Sequence, residues 1–146
     1  MITRTHFLRA SLLATTIALG ACGMMSPSNT ATFGATLSSS AEVPANASTG
    51  SGTMTATLNK TTSVLSWKAS YTGLTGPATA GHIHGPAAAG ANAGVVVPFK
   101  SAASPIEGEA TLTPAQIADL MAGKWYVNLH TAANPGGEIR GQLAAK

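Results

Sequence analysis

The chain has 146 residues, enough for one domain with tails. Apolar residues make up 45 % and charged residues only 9 %, far below the usual ~25 %, so Ser, Thr, Asn and Gly must supply solubility. Low charge at ordinary hydrophobicity argues against a disordered chain, and 16 Gly with 8 Pro exclude a coiled coil.

The formal charge of +3 invites a nucleic-acid reading that the positions of the charges undo. Residues 1–22 read MITRTHFLRASLLATTIALGAC. Arg4 and Arg9 form a basic n-region, and residues 10–19 an apolar core of signal-peptide length. That core is shorter than the ~20 apolar residues of a spanning helix. The segment ends Leu19-Gly20-Ala21-Cys22, which resembles a bacterial lipobox. The resemblance implies a signal peptide over 1–21, lipid attachment to Cys22 and a membrane held through that anchor. Gly23, rather than Asp, follows Cys22 and implies the outer membrane. The competing reading is an ordinary signal peptide with an incidental cysteine.

Removing 1–21 takes Arg4 and Arg9 away and leaves a nearly neutral chain. The remaining basic residues, Lys60, Lys68, Lys100, Lys124, Arg140 and Lys146, are scattered. No patch remains that neutralises several phosphates, so nucleic acid is excluded as a partner. The single cysteine is spoken for by the lipid, so no disulfide supports the fold.

Residues 22–31 read as a flexible tether. From Thr32 onward, period-two alternation predicts strands. Phe33, Ala35 and Leu37 share one face of a first strand, and Met54, Ala56 and Leu58 one face of a second. Leu65, Trp67, Ala69 and Tyr71 line a third. Further strands are expected at 80–84, 95–99, 106–112, 125–131 and 138–143, separated by Gly, Pro, Asn and Ser clusters. Ala87–Gly94 reads as a loop. Eight short strands with such turns predict an all-β, antiparallel Greek-key sandwich or barrel, superoxide-dismutase-like or immunoglobulin-like in type.

One short helix interrupts the strands. Thr113 is placed as N-cap, Pro114 at the first position and Gln116 to close a capping box. Ile117, Leu120 and Met121 make its apolar stripe, and Gly123 stops it. Asn134-Pro135-Gly136-Gly137 suits a type II turn between the last two long strands, with Gly136 at the position that needs positive φ.

Of four histidines, His6 lies in the signal. The rest sit in Gly81-His82-Ile83-His84-Gly85 and Asn128-Leu129-His130-Thr131. With Ile83 in the core, His82 and His84 point away from it. With Trp125, Val127 and Leu129 inward, Tyr126, Asn128 and His130 share the opposite face. If the two strands are neighbours, three imidazoles converge. Neutral imidazole is the commonest metal ligand and suits Cu(II) first and Zn(II) second. The competing reading is three histidines hydrogen-bonded to loop backbone. Glu107 and Glu109 share a strand face that reads as solvated. Glu138, Arg140 and Gln142 share another, with Glu138 a candidate support for a nearby histidine. No nucleophile or phosphate-loop motif is present.

Several separated stretches resemble the chordin-type (CHRD) domain: FGATLSSSAEVP at 33–44, YTGL at 71–74, GHIHGPA at 81–87, GVV at 94–96, 112–123, and YVNLHTAANPGGEIRGQL at 126–143. Ala41 stands where family members often have Gln. The resemblance covers about 32–144 and implies an extracellular or exported β-sandwich, with no defined chemistry. A weaker resemblance links His-x-His and a distant strand histidine to the copper half of Cu,Zn superoxide dismutase. The zinc half has no counterpart: Asp119, the only aspartate, lies in the predicted helix.

The expected function is therefore an exported, lipid-anchored domain that holds or delivers copper through His82, His84 and His130, without turnover. The alternative is a metal-free module that recognises a protein or polysaccharide through a sheet face or the Ala87–Gly94 loop; the sequence names no protein partner. Replacing Cys22 with Ser should abolish lipid labelling in cells and release the domain from the membrane fraction. Unchanged detergent extraction of the variant would rule the anchor out.

Overall fold

A computed structural model describes residues 28–146. The signal segment, Cys22 and most of the expected tether lie outside the described residues. The chain forms β1 (Thr30–Ser38), a 3-10 turn (Ser39–Ala41), β2 (Ser51–Asn59), β3 (Val64–Thr72), β4 (Ala78–His84), β5 (Val95–Pro98), β6 (Ile106–Thr111), α1 (Pro114–Met121), β7 (Tyr126–Thr131), β8 (Ile139–Gln142) and β9 (Ala144–Ala145). β1 begins two residues inside the segment read as a tether, where Lys60 N donates to Asn29 O.

All strand pairings are antiparallel, in the order β5-β4-β7-β8-β1-β2-β3-β6, with β9 beside β1. The sheet curls into a nearly closed barrel. Its end strands β5 and β6 are not paired with each other, and Trp67 of β3, next to β6, stacks on Phe99, just past β5, with ring centroids 5.5 Å apart. The alternation read from the sequence sets the inside: Phe33, Leu37, Met54, Leu58, Leu65, Trp67, Ile83, Val127 and Leu129 are all buried.

Between β6 and β7 lies α1, whose capping box forms as expected. Gln116 N donates to Thr113 Oγ1 at 3.3 Å and Thr113 N to Gln116 Oε1 at 2.8 Å. Gly123 ends the helix with φ +69°. Leu120 is buried and Ile117 packs on the core, but Met121 is 47 % exposed. The helix rests on a strip narrower than its sequence stripe.

The hairpin between β7 and β8 departs from the expected turn. Gly137 N donates to Asn134 O at 3.1 Å, but the positive φ falls on Gly137, at +135°, and not on Gly136. The turn is not type II. Gly137 takes this conformation where it backs onto Glu42 and Asn128; a Cβ there would stand 2.6 Å from Glu42 Oε1 and 2.7 Å from Asn128 Nδ2.

Glu138 is a second departure: it supports no histidine. Its carboxylate is fully buried and accepts from Ser48 Oγ (2.6 Å), Thr75 N (2.7 Å), Thr75 Oγ1 (2.7 Å) and Thr131 Oγ1. Two loops and the end of β7 are thereby tied to one charge. Burial pushes this carboxyl up, but the hydroxyl and amide donors outweigh it and bring the pKa down to about 2. Because the folded value lies below the ordinary 4.5, the resulting stability is complete above that pH and lost as pH falls towards 2. Glu138→Ala should lower the unfolding free energy by about 3 kcal/mol at neutral pH. The difference from wild type should shrink in acid, read by urea titration at pH 7 and pH 3.

Candidate metal centre

β4 and β7 are neighbours, so the condition on which convergence depended is met. Ala80 pairs with His130, His82 with Asn128 and His84 with Tyr126. His82 and His84 stand two residues apart on one face of β4, and His130 lies diagonally across from His82, within reach of a side chain. The ring centroids of His82 and His130 are 4.9 Å apart, those of His82 and His84 5.4 Å, and those of His84 and His130 6.4 Å. One ring nitrogen from each of the three lies within 4.8 Å of the others.

The backbone decides which nitrogen each ring offers. His84 Nδ1 donates to Ala93 O at 3.1 Å, and His130 Nδ1 to Pro135 O at 2.9 Å. A carbonyl only accepts, so these Nδ1 atoms carry the protons and the two Nε2 atoms are lone pairs in the neutral rings. His130 Nε2 faces His82 Nδ1 at 3.1 Å, while His84 Nε2 is buried without a hydrogen-bond partner. Anchoring one nitrogen on a carbonyl while the other is left free is the usual support of a metal-binding histidine. Metal–nitrogen bonds of ~2.0–2.1 Å hold ligand atoms roughly 3.3 Å apart in a tetrahedron. The 3.1 Å His82–His130 contact is already close to this spacing, and one nitrogen from every ring lies within 4.8 Å of the others.

The face that carries the rings is not an open surface, contrary to the simplest reading of the alternation. Tyr126, Asn128, His84 and Arg140 are all buried. The 87–94 segment lies over them. Arg140 donates to Asn92 Oδ1 at 2.9 Å and Ala91 O at 2.7 Å, Tyr126 Oη accepts from Ala93 N at 3.1 Å, and Gln142 Nε2 donates to Ala87 O at 3.0 Å. The guanidinium sits 3.4 Å above the Tyr126 ring, which stacks in turn on His84 with centroids 4.9 Å apart. The low-complexity loop is thus a pinned cover. His82 and His130 remain partly exposed, so the site opens to solvent on their side.

Glu42 is the residue that sequence reasoning passed over. It reaches this face from the loop after β1 and is 7 % exposed. Burial raises its pKa from 4.5 to about 7, against the pull of Arg140, Asn128 and the Val43 backbone. No periodicity marks it, because it lies outside any strand; Asn128 was marked only by sharing the face of His130. Glu107 and Glu109 carry no site. Both lie on exposed β6, where Glu107 pairs with Lys68 at 2.6 Å.

Among the described residues no helix is long and apolar enough to cross a membrane. A family model described as CHRD domain matches residues 33–143. No curated protein and no solved structure matches the chain.

Burial, followed by the field of the neighbouring histidines, lowers the pKa of His82; burial likewise lowers that of His84, against the Ala93 hydrogen bond and the nearby Asn128 amide. Burial thus favours the neutral form of both rings, the form that binds a metal ion. Folded values below the ordinary 6.5 mean stability that is whole above that pH and lost as pH falls through the folded values. In the metal-free protein, the imidazole proton NMR signals of His82 and His84 should titrate with midpoints below 6.5. Midpoints at or above that value would contradict the buried, mutually repelling cluster.

Proposed function

The chain belongs to the CHRD-domain family, and on that premise we propose an exported β-domain that holds one copper ion, with zinc as second choice, on His82, His84 and His130. The observation that carries the reading is the double carbonyl anchor. Ala93 O and Pro135 O each take an Nδ1 proton, and one nitrogen from every ring falls within 4.8 Å of the others. Three neutral nitrogens leave a coordination position open, as labile sites do and closed structural sites do not. The role proposed is holding or delivery, and no turnover is assigned. In this reading Cys22 carries lipid and keeps the domain on the outer membrane, facing the periplasm or the exterior.

A second reading has one observation in its favour. The 3.1 Å contact between His82 Nδ1 and His130 Nε2 is a complete hydrogen bond without any metal. On that reading the histidines are structural and the domain is a protein- or polysaccharide-interaction module.

The purified protein should bind one equivalent of Cu(II). Saturation at 100 times the dissociation constant should stabilise it by about 2.7 kcal/mol. His130→Ala should weaken Cu(II) binding at least tenfold and shift the metal-free melting temperature by only a few degrees. Affinity should fall as pH drops below ~6.5, through the lowered pKa values of His82 and His84. No uptake of Cu(II) or Zn(II) by calorimetry leaves only the interaction module.

A further inference from the structure

Five buried side-chain atoms among the described residues lack a hydrogen-bond partner. Three of them, Glu42 Oε1, Asn128 Oδ1 and His84 Nε2, belong to side chains that meet on the polar face of β7. Asn128 is the link. It pairs across the sheet with His82 on one side and Arg140 on the other, and precedes His130 by two residues on the same face. Its amide lies beside Glu42 against Gly137, and it stands diagonally across the strand pair from His84.

The orientation of that amide sets the chemistry. Asn128 Nδ2 lies with Glu42 Oε1 against Gly137, where a Cβ would stand 2.7 Å from the one and 2.6 Å from the other. The donor end of the amide is thus turned to the carboxyl, and the oxygen is left for the histidine side. His84 has committed its Nδ1 proton to Ala93 O, so its Nε2 is an acceptor as well. His84 and Asn128 stand diagonally across the paired strands β4 and β7, and each keeps a buried acceptor, Nε2 and Oδ1, without a hydrogen-bond partner. Groups so placed need a cation, or a water that donates to both.

We propose that Asn128 Oδ1 is a fourth ligand to the ion held by His82, His84 and His130, and that Glu42 is the positioning residue that turns the amide oxygen towards it. The inference rests on the three-histidine reading and extends it. A donor set of three imidazoles and one amide oxygen suits Cu(II) or Zn(II) better than Mg(II) or Ca(II), which favour all-oxygen sites. Gly137 is required behind the pair, because any side chain there would separate Glu42 from Asn128.

The test is Cu(II) titration of the full chain by chelator competition, with electron paramagnetic resonance on each variant and a melting curve without metal. Asn128→Ala should weaken Cu(II) binding 10- to 100-fold and alter the copper hyperfine splitting. Asn128→Asp keeps an oxygen at the position and adds charge; it should bind at least as tightly as wild type, with a shifted spectrum. Glu42→Gln should move the spectrum in the direction of Asn128→Ala by a smaller amount, and Glu42→Asp should restore part of it. A wild-type spectrum and affinity in Asn128→Ala, alongside lost binding in His130→Ala, overturns the fourth ligand, leaves the three histidines standing and assigns the orphan atoms to a water. Unchanged affinity in His130→Ala removes both readings. Should Asn128→Ala fail to fold, an unshifted spectrum in folded Asn128→Asp overturns the proposal by itself.

Discussion

The polar face of this barrel is organised by one buried cation. Arg140 is 2 % exposed and has no carboxylate in hydrogen-bond contact; its partners are a carbonyl, an amide oxygen and the face of an aromatic ring. A buried charge is tolerable only when its donors are met, so the guanidinium dictates where Ala91 and Asn92 lie. The consequences spread from there. Ala93, next in the chain, is brought to His84 Nδ1 and Tyr126 Oη. Asn92 Nδ2 also donates to Val43 O at 3.0 Å, which ties down the segment carrying Glu42. The tautomer of His84 and the position of the buried carboxyl both follow from the same charge.

Glu138 plays the matching part at the far end of β7. It is one residue from β8, and its hydroxyl partners gather the loops after β1 and β3. The hairpin that Glu138 closes presents Pro135 O to His130. Two of the three rings are therefore oriented by loops, His84 by the cover segment and His130 by the hairpin, and each loop is held by a buried ion at its base. The apolar interior takes no part in this. Its residues face the other way along every strand, so the histidine cluster is an addition to a core that is already complete.

Most of the fold was legible because period-two alternation is a direct record of which side of a strand is dry. Each of the eight expected strands is present, and the helix begins and ends where Thr113 and Gly123 put it. The ninth strand, Ala144–Ala145, is two residues long and has no period to read. For the site, alternation placed His82, His84 and His130 on the outer faces of their strands, but pairing between β4 and β7 is a long-range fact with no local signature. Burial of that outer face was not legible either. It depends on where 87–94 lies, and a stretch of Ala, Gly and Asn carries no pattern that names its partner. The same holds for Glu138, whose neighbours in space come from positions 48, 75 and 131.

Charge balance bears on what such a site can hold. The positive field of Arg140 opposes protonation of His84, and by the same sign it opposes a divalent ion at the ring. Glu42 lies on the other side of that balance, close enough to Arg140 for the two to act on one another. The proposed ligands are themselves neutral: three imidazoles and an amide oxygen bring no charge to offset a dication, unlike the thiolates of closed structural zinc sites. Partial exposure at His82 and His130 keeps a path to solvent. A neutral donor set beside a fixed cation, open on one side and not needed by the core, favours reversible loading over permanent retention, which is the balance that metal holding and delivery require.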